Sequence, residues 1–159
     1  MRTVEKTTTW KDNWNNVIRD VLFADDKLRE LMLLPKNCTI IQFIDKYFIE
    51  DENTDELMTN ERVRISYYDA KGRDTGNQNV RLRYKEFDIY VHKDVLHNAT
   101  NDRLQNRYDL IADRIKYLLL RNDRVCNLHF ELEEDGYNLF TKAIGYKRYH
   151  ISFSYKTTV

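Results

Sequence analysis

Thiols are scarce in this sequence: Cys38 and Cys126 lie far apart, and neither has a Cys or His neighbour at metal-finger spacing. That excludes a disulfide framework and a cysteine zinc site, and both thiols, set in apolar patterns, read as packing residues. An excess of one charge is also missing, because 26 Lys and Arg balance 26 Asp and Glu. A dedicated nucleic-acid binder depends on surplus cations to displace counterions from phosphates, so the balance argues against that class. No apolar run approaches the ~20 residues of a membrane helix, and the polar stretch Met1 to Thr9 lacks a signal-peptide core. The expectation is a soluble chain made in the cytoplasm, with no membrane partner. Gly72 and Gly76 are followed by no Gly-Lys-Ser/Thr, which excludes a phosphate-binding loop. Proline occurs once, at Pro35, and there is no internal repeat, low-complexity segment or linker.

What is present suffices for one core. With 159 residues, 42% of them hydrophobic, the chain is long enough for a single domain over 1–159 and short for two. Thr9 can cap a helix whose stripe is Trp10, Trp14, Val17, Ile18, Val21 and Leu22. Asp25 and Asp26 break it and cap a second helix, with Leu28, Leu31 and Met32 on one side and Pro35 as its stop. Ile40, Ile41, Phe43, Ile44, Tyr47 and Phe48 recur at helical steps and predict a third helix to about Phe48, although β-branched Ile also suits a strand. The three helices fill 9–48. Glu50 to Asn60 reads as a loop.

The pattern then changes period. Val63, Ile65 and Tyr67 alternate in a first strand over Arg62 to Tyr68, and Ala70 to Asn79 has the Gly, Asp and Asn content of a long hairpin loop. The second strand carries Val80, Leu82 and Tyr84, then Phe87, Ile89 and Val91; the three-residue step from Tyr84 to Phe87 predicts a bulge at Lys85-Glu86, and the hairpin ends near His92. From Asp102 to Leu120, the stripe Leu104, Tyr108, Ile111, Ile115, Leu118 and Leu119 predicts a long helix capped by Thr100 or Asn101. Cys126, Leu128, Phe130 and Leu132 alternate as a third strand, closed by Glu133 to Gly136. Tyr149, Ile151, Phe153 and Tyr155 alternate as a fourth, giving a second hairpin over 126–156. The fold class is α+β: a four-stranded, mainly antiparallel sheet covered on one face by helices, in the order ααα-ββ-α-ββ.

Candidate chemistry is thin. Asp74-Thr75-Gly76 matches the aspartic-protease triplet, yet follows Lys71-Gly72-Arg73 in a loop of turn formers rather than ending an apolar strand. His92, Asp94 and His97, with His129 or His150, have ligand chemistry without the spacing of a metal signature. Asp69, Glu86 and Asp88 suggest a small metal-dependent nuclease built on strand carboxylates, but the lysine expected just beyond the second acid is missing. The expectation is no catalytic residue, no cofactor and no metal. What remains is a surface rich in aromatics, 13% with 11 Tyr, in which Arg73, Asp74 and Asn77 sit in the long loop, Tyr84 and Tyr90 on strands, and Tyr155 and Lys156 on the last strand. Such edges and loops can pair between subunits, or be ordinary surface.

Glu86 to His92, followed by Asp102 to Ile115 and then Gly145 to Tyr155, resembles the tailed-phage head–tail joining proteins of the tail-terminator and tail-completion type. The likeness is one of pattern and element order over about residues 10–159. It implies a structural virion protein, not an enzyme: a small α/β subunit that forms a neck ring of six copies, with twelve as the alternative, assembled in the host cytoplasm. It also implies three partners besides itself: a head connector on the portal side, a tail tube protein, and DNA that passes through the lumen without specific binding. Ala70 to Asn79 would be the extended arm, with Asp102 to Leu120 bracing the ring. Arg73, Asp74, Asn77, Tyr84, Tyr90, Tyr155 and Lys156 would be contact residues. The three-helix start departs from the single leading helix of simple terminators. The competing readings are the nuclease and a monomeric adaptor that folds against a partner.

Overall fold

The structure, a computed structural model, describes residues 10–50, 61–100, 103–121, 130–138 and 145–158. Its elements are α1 (Trp10–Ala24), α2 (Asp26–Leu31), α3 (Ile40–Gln42), β1 (Phe48–Glu50), β2 (Val63–Asp74), β3 (Val80–His92), β4 (His97–Thr100), β5 (Arg103–Asn106), α4 (Arg107–Leu120), β6 (Glu131–Asn138) and β7 (Tyr146–Thr158). The architecture is α+β, as the change of period predicts. The main sheet has five strands in the order β1-β2-β3-β7-β6, and β4 and β5 pair separately as a two-stranded unit. The expected four-stranded sheet is therefore too small. All pairings are antiparallel except β1 with β2.

The extra strands come from places where two periods compete. Thr39 and Gln42 close a reciprocal capping box that starts α3. Phe43–Tyr47 then continues as a wider π turn, with the Phe48 N–H donating to the Phe43 carbonyl. The chain emerges extended at Phe48, so the predicted third helix ends one residue early and Phe48, Ile49 and Glu50 pair beside Ile65, Ser66 and Tyr67. The long helix begins at Arg107 rather than Asp102: Arg103–Asn106 gains backbone pairing with His97–Thr100, and Asn106, extended at φ −76° and ψ 127°, sets the start. Of the two expected caps, Thr100 ends β4, and Asn101 lies outside the described residues, as do Thr9, the 51–60 loop and Cys126.

One core fills the space between the sheet and the helices. Val63, Ile65, Tyr67, Phe87, Ile89, Val91, Ile151 and Phe153 present one face of β2, β3 and β7 to Ile18, Leu22, Leu28, Ile111, Ile115 and Leu119. A run of rings crosses it: Phe43 stacks on Phe48 at 5.4 Å, Phe48 on Tyr67 at 4.2 Å, and Phe87 meets Phe153 edge-on at 5.7 Å. Polar pins hold the helices in place. The Asp25 carboxylate accepts from the Leu28 N–H and from both Nε and Nη2 of Arg114, and Arg114 holds its pKa below the usual carboxylate range. The buried guanidinium of Arg107 donates to the carbonyls of Leu31 and Val95.

Strand irregularities fall elsewhere than predicted. β3 pairs without interruption along all 13 of its residues, so nothing bulges at Lys85-Glu86. The bulge is in β2, between Ala70 and Arg73, where Lys71 and Gly72 share the space opposite Arg83. Gly72 suits it: a Cβ there would lie 2.8 Å from the Leu82 carbonyl oxygen. A second register shift at Glu133 lets β6 continue to Asn138, so the acidic stretch expected to close this strand lies within it. Charged residues are compatible with an edge strand facing water.

Candidate functional site

Because β3 is unbroken, Lys85 and Glu86 point to opposite faces of the sheet, and polar residues gather on both. On the helix side, Lys85 is only 2% exposed. Its Nζ lies 2.9 Å from Asp69 Oδ1 and donates to Asn15 Oδ1 of α1 at 2.6 Å, while the Tyr155 hydroxyl donates to Asp69 at 3.3 Å. Burial first, then the neighbouring Asp69, pushes the Tyr155 hydroxyl well above the usual phenol range. A buried lysine needs such partners, since an isolated ammonium in an apolar core would lose most of its hydration.

On the opposite face, His150 bridges two acids of β3. Its Nδ1 lies 2.7 Å from Asp88 Oδ1 and its Nε2 2.9 Å from Glu86 Oε2; the Tyr68 hydroxyl donates to the second Asp88 oxygen at 3.2 Å. Bonds to Asp88 and then Glu86 raise the imidazole pKa to about 9, so His150 is a cation at neutral pH. Burial, followed by the nearby Asp88, drives the Tyr68 hydroxyl upward. A general base needs an open nitrogen at working pH, and both nitrogens of His150 face carboxylates. The arrangement cross-links β2, β3 and β7.

The proposed nuclease carboxylates are thus divided. Asp69 lies on the helix side, bound to Lys85, while Glu86 and Asp88 lie across the sheet, bound to His150. The histidine cluster is not assembled either: Arg62 Nη1 lies 2.9 Å from both His92 Nδ1 and Asp94 Oδ2, putting a guanidinium where a cation would sit. His97 is exposed on β4, and His129 lies outside the described residues. Among the described residues, no group of three or more His, Cys, Asp or Glu is disposed to hold a metal ion. None of their helices is long and apolar enough to cross a membrane.

The other candidate residues cluster at the far end of the sheet. β2, β3 and β7 have 12, 13 and 13 residues, and a 13-residue strand spans about 40 Å. α4 has 14 residues, about 20 Å of helix. α1, with 15 residues, is of similar length, so each long strand exceeds either helix and the far ends of the three strands form an arm. Val80, Arg81, Leu82 and Tyr84 are only half-buried there. Arg73 is exposed opposite Leu82, and Asp74 ends β2 opposite Arg81. The arm is sequential strand up to Asp74, so the predicted loop 70–79 shrinks to Thr75–Asn79, where the Asn77 side chain accepts from the Asn79 N–H and its carbonyl from the Val80 N–H. Tyr84 is opposite Ala70 and Ser154. Lys156 is exposed near the end of β7. Two candidates are inside the subunit: Tyr90, 1% exposed, clusters with Tyr146, and Tyr155, 2% exposed, packs edge-on against Phe130.

Among the described residues the arm's sides are open. β1 covers β2 at Ile65, Ser66 and Tyr67, and β6 covers β7 from Arg148 to Ser154. Among the described residues no strand lies outside Tyr68–Asp74 of β2 or outside 156–158 of β7, and β6 is itself an edge. The YomW family model matches residues 15–155, which takes in both the helix layer and the arm. The chain belongs to the YomW family. No curated protein matches it. The signal that sequence reading missed is the extra strand length: the alternation that stops being apolar after Tyr68 continues as hydrogen-bonded strand.

Proposed function

We propose that this YomW-family chain is a structural virion protein of a tailed bacteriophage, one subunit of a ring in the head–tail neck that terminates the tail and docks it to the head connector. The observation that carries the reading is the arm, three paired strands whose backbone edges no other described strand covers on either side. Unpaired strand edges invite another chain, and a subunit whose two docking edges differ associates head to tail, which gives a ring when the rotation between neighbours closes and a filament when it does not. Membership of the YomW family lends loose support to a phage-related origin. The balanced charge is compatible with a lumen through which DNA passes without being held. The polar clusters around Lys85 and His150 serve this role by stiffening the sheet.

The test is genetic and visual. In a phage that encodes the chain, its removal is expected to leave filled heads and separate tails in electron micrographs, with joining restored by supplying the protein. Normal joined virions without the chain would overturn the proposal.

A further inference from the structure

The arm and the β6 edge carry opposite charges. Beyond the internally paired Asp69 and Lys85, the arm's sequence holds Lys71, Arg73, Arg81, Arg83 and Lys156 against Asp74, whereas β6 holds Glu131, Glu133, Glu134 and Asp135 with no basic residue. Charged side chains protect an edge strand from indiscriminate pairing, and four acids leave a basic partner as the pairing that remains favourable. Glu133 and Asp135 are engaged within the subunit, by the Ser154 hydroxyl and by Lys116 with Tyr149 respectively. Glu131 and Glu134 are exposed, beside Leu132 at 41% exposure. On the arm, Arg73 and Lys156 are exposed, and the shielded Nε of Arg81 has no hydrogen-bond partner.

We infer that the occupant of the β6 edge is a second copy of this chain, docked through the open β2 edge of its basic arm. This rests on the ring reading and specifies its contact. Strand direction agrees with it. β2 is antiparallel to β3, and β6 runs with β3 because each is antiparallel to β7. A neighbour's β2 laid beside β6 in a head-to-tail continuation of the sheet is therefore antiparallel, the commoner pairing. The two surfaces are different patches of one subunit, so each copy offers an arm to one neighbour and an edge to the other, as ring closure requires.

The test uses two full-length variants, both checked by circular dichroism for native fold: Glu131→Lys with Glu134→Lys, which makes the edge basic, and Lys71→Glu with Arg73→Glu, which makes the β2 edge of the arm acidic. Each variant alone sets like charge against like and is expected to need at least tenfold more protein than wild type to assemble, as read by light scattering at low salt. Mixed one to one, both junctions become complementary again, and assembly is expected to return with the two variants alternating. If wild type assembles and each variant assembles as well as it does, the arm-to-edge contact is wrong while the ring reading stands. Assembly that fails in each variant and is not restored by mixing also overturns the contact. A wild type that stays monomeric across the concentration series overturns the ring reading and the contact with it.

Discussion

Along β3, Phe87, Ile89 and Val91 are sealed under the helices, while Arg81 and Arg83, on the same face a few residues earlier, are only half-covered. The near part of β2, β3 and β7 is held by side-chain packing and two polar cross-links. The arm is held mainly by its backbone ladder and by local bonds such as Arg83 Nε to Thr157 Oγ1 at 3.0 Å. Burial strongly specifies register on the core side, where a one-residue slip would turn Phe87 out of the apolar core and bring Glu86 and Asp88 into it. The arm has no such constraint, which frees its side chains for contacts outside the subunit.

Substitutions sharpen that contrast. The largest effect is expected at Asp69→Ala, which strands the buried ammonium of Lys85 and should cost about 3–5 kcal/mol in urea unfolding. Adding Lys85→Met to that variant should recover part of the loss, and an unchanged midpoint in Asp69→Ala would show that the inner pair does not hold the near part together. Next comes His150. Its folded pKa of about 9 exceeds the ordinary value of 6.5, so its contribution is fully present below pH 6.5 and is lost as pH rises through 9. After allowance for partial exposure, about 1–2 kcal/mol should disappear across that window. His150→Gln should flatten the profile between those limits; an equally steep fall in the variant would assign it to other groups.

In the arm the effects shrink. Gly72→Ala forces a Cβ against the Leu82 carbonyl, and because the arm can shift, about 1 kcal/mol is expected, with faster amide exchange at Arg81 and Arg83 but not at Ile89. Faster exchange throughout β3 would mean that arm and core unfold as one unit. Arg73→Ala and Lys156→Ala should each change stability by less than about 0.5 kcal/mol, as expected for exposed side chains. A larger loss at either would place that residue in the subunit's own fold.

Much of the near part is legible in the sequence. The stripe of Ile111, Ile115 and Leu119 and the alternation of Ile151 and Phe153 each fit one period, and both elements are found. Phe43 to Phe48 fits two, and the π turn that decides between them is a tertiary choice. Apolar alternation misplaced the bulge because Lys85 is a core residue: its partners Asn15 and Asp69 are distant in sequence, so local periodicity reads it as a slip. Arg103–Asn106 shows the same limit, since its helical stripe is overridden by pairing with His97–Thr100. For the site, the sequence marks Arg73, Asp74 and Lys156 as contact candidates but presents Asp69, Glu86 and Asp88 as one cluster. Only the uninterrupted pairing of β3 separates them.

Association between copies of this chain underlies both the ring and the arm-to-edge contact. Its most direct test is the solution mass of the purified full-length protein by light scattering across a concentration series at low salt. A discrete species of six or twelve subunits is predicted, weakening as salt rises. A strict monomer at every concentration would contradict it.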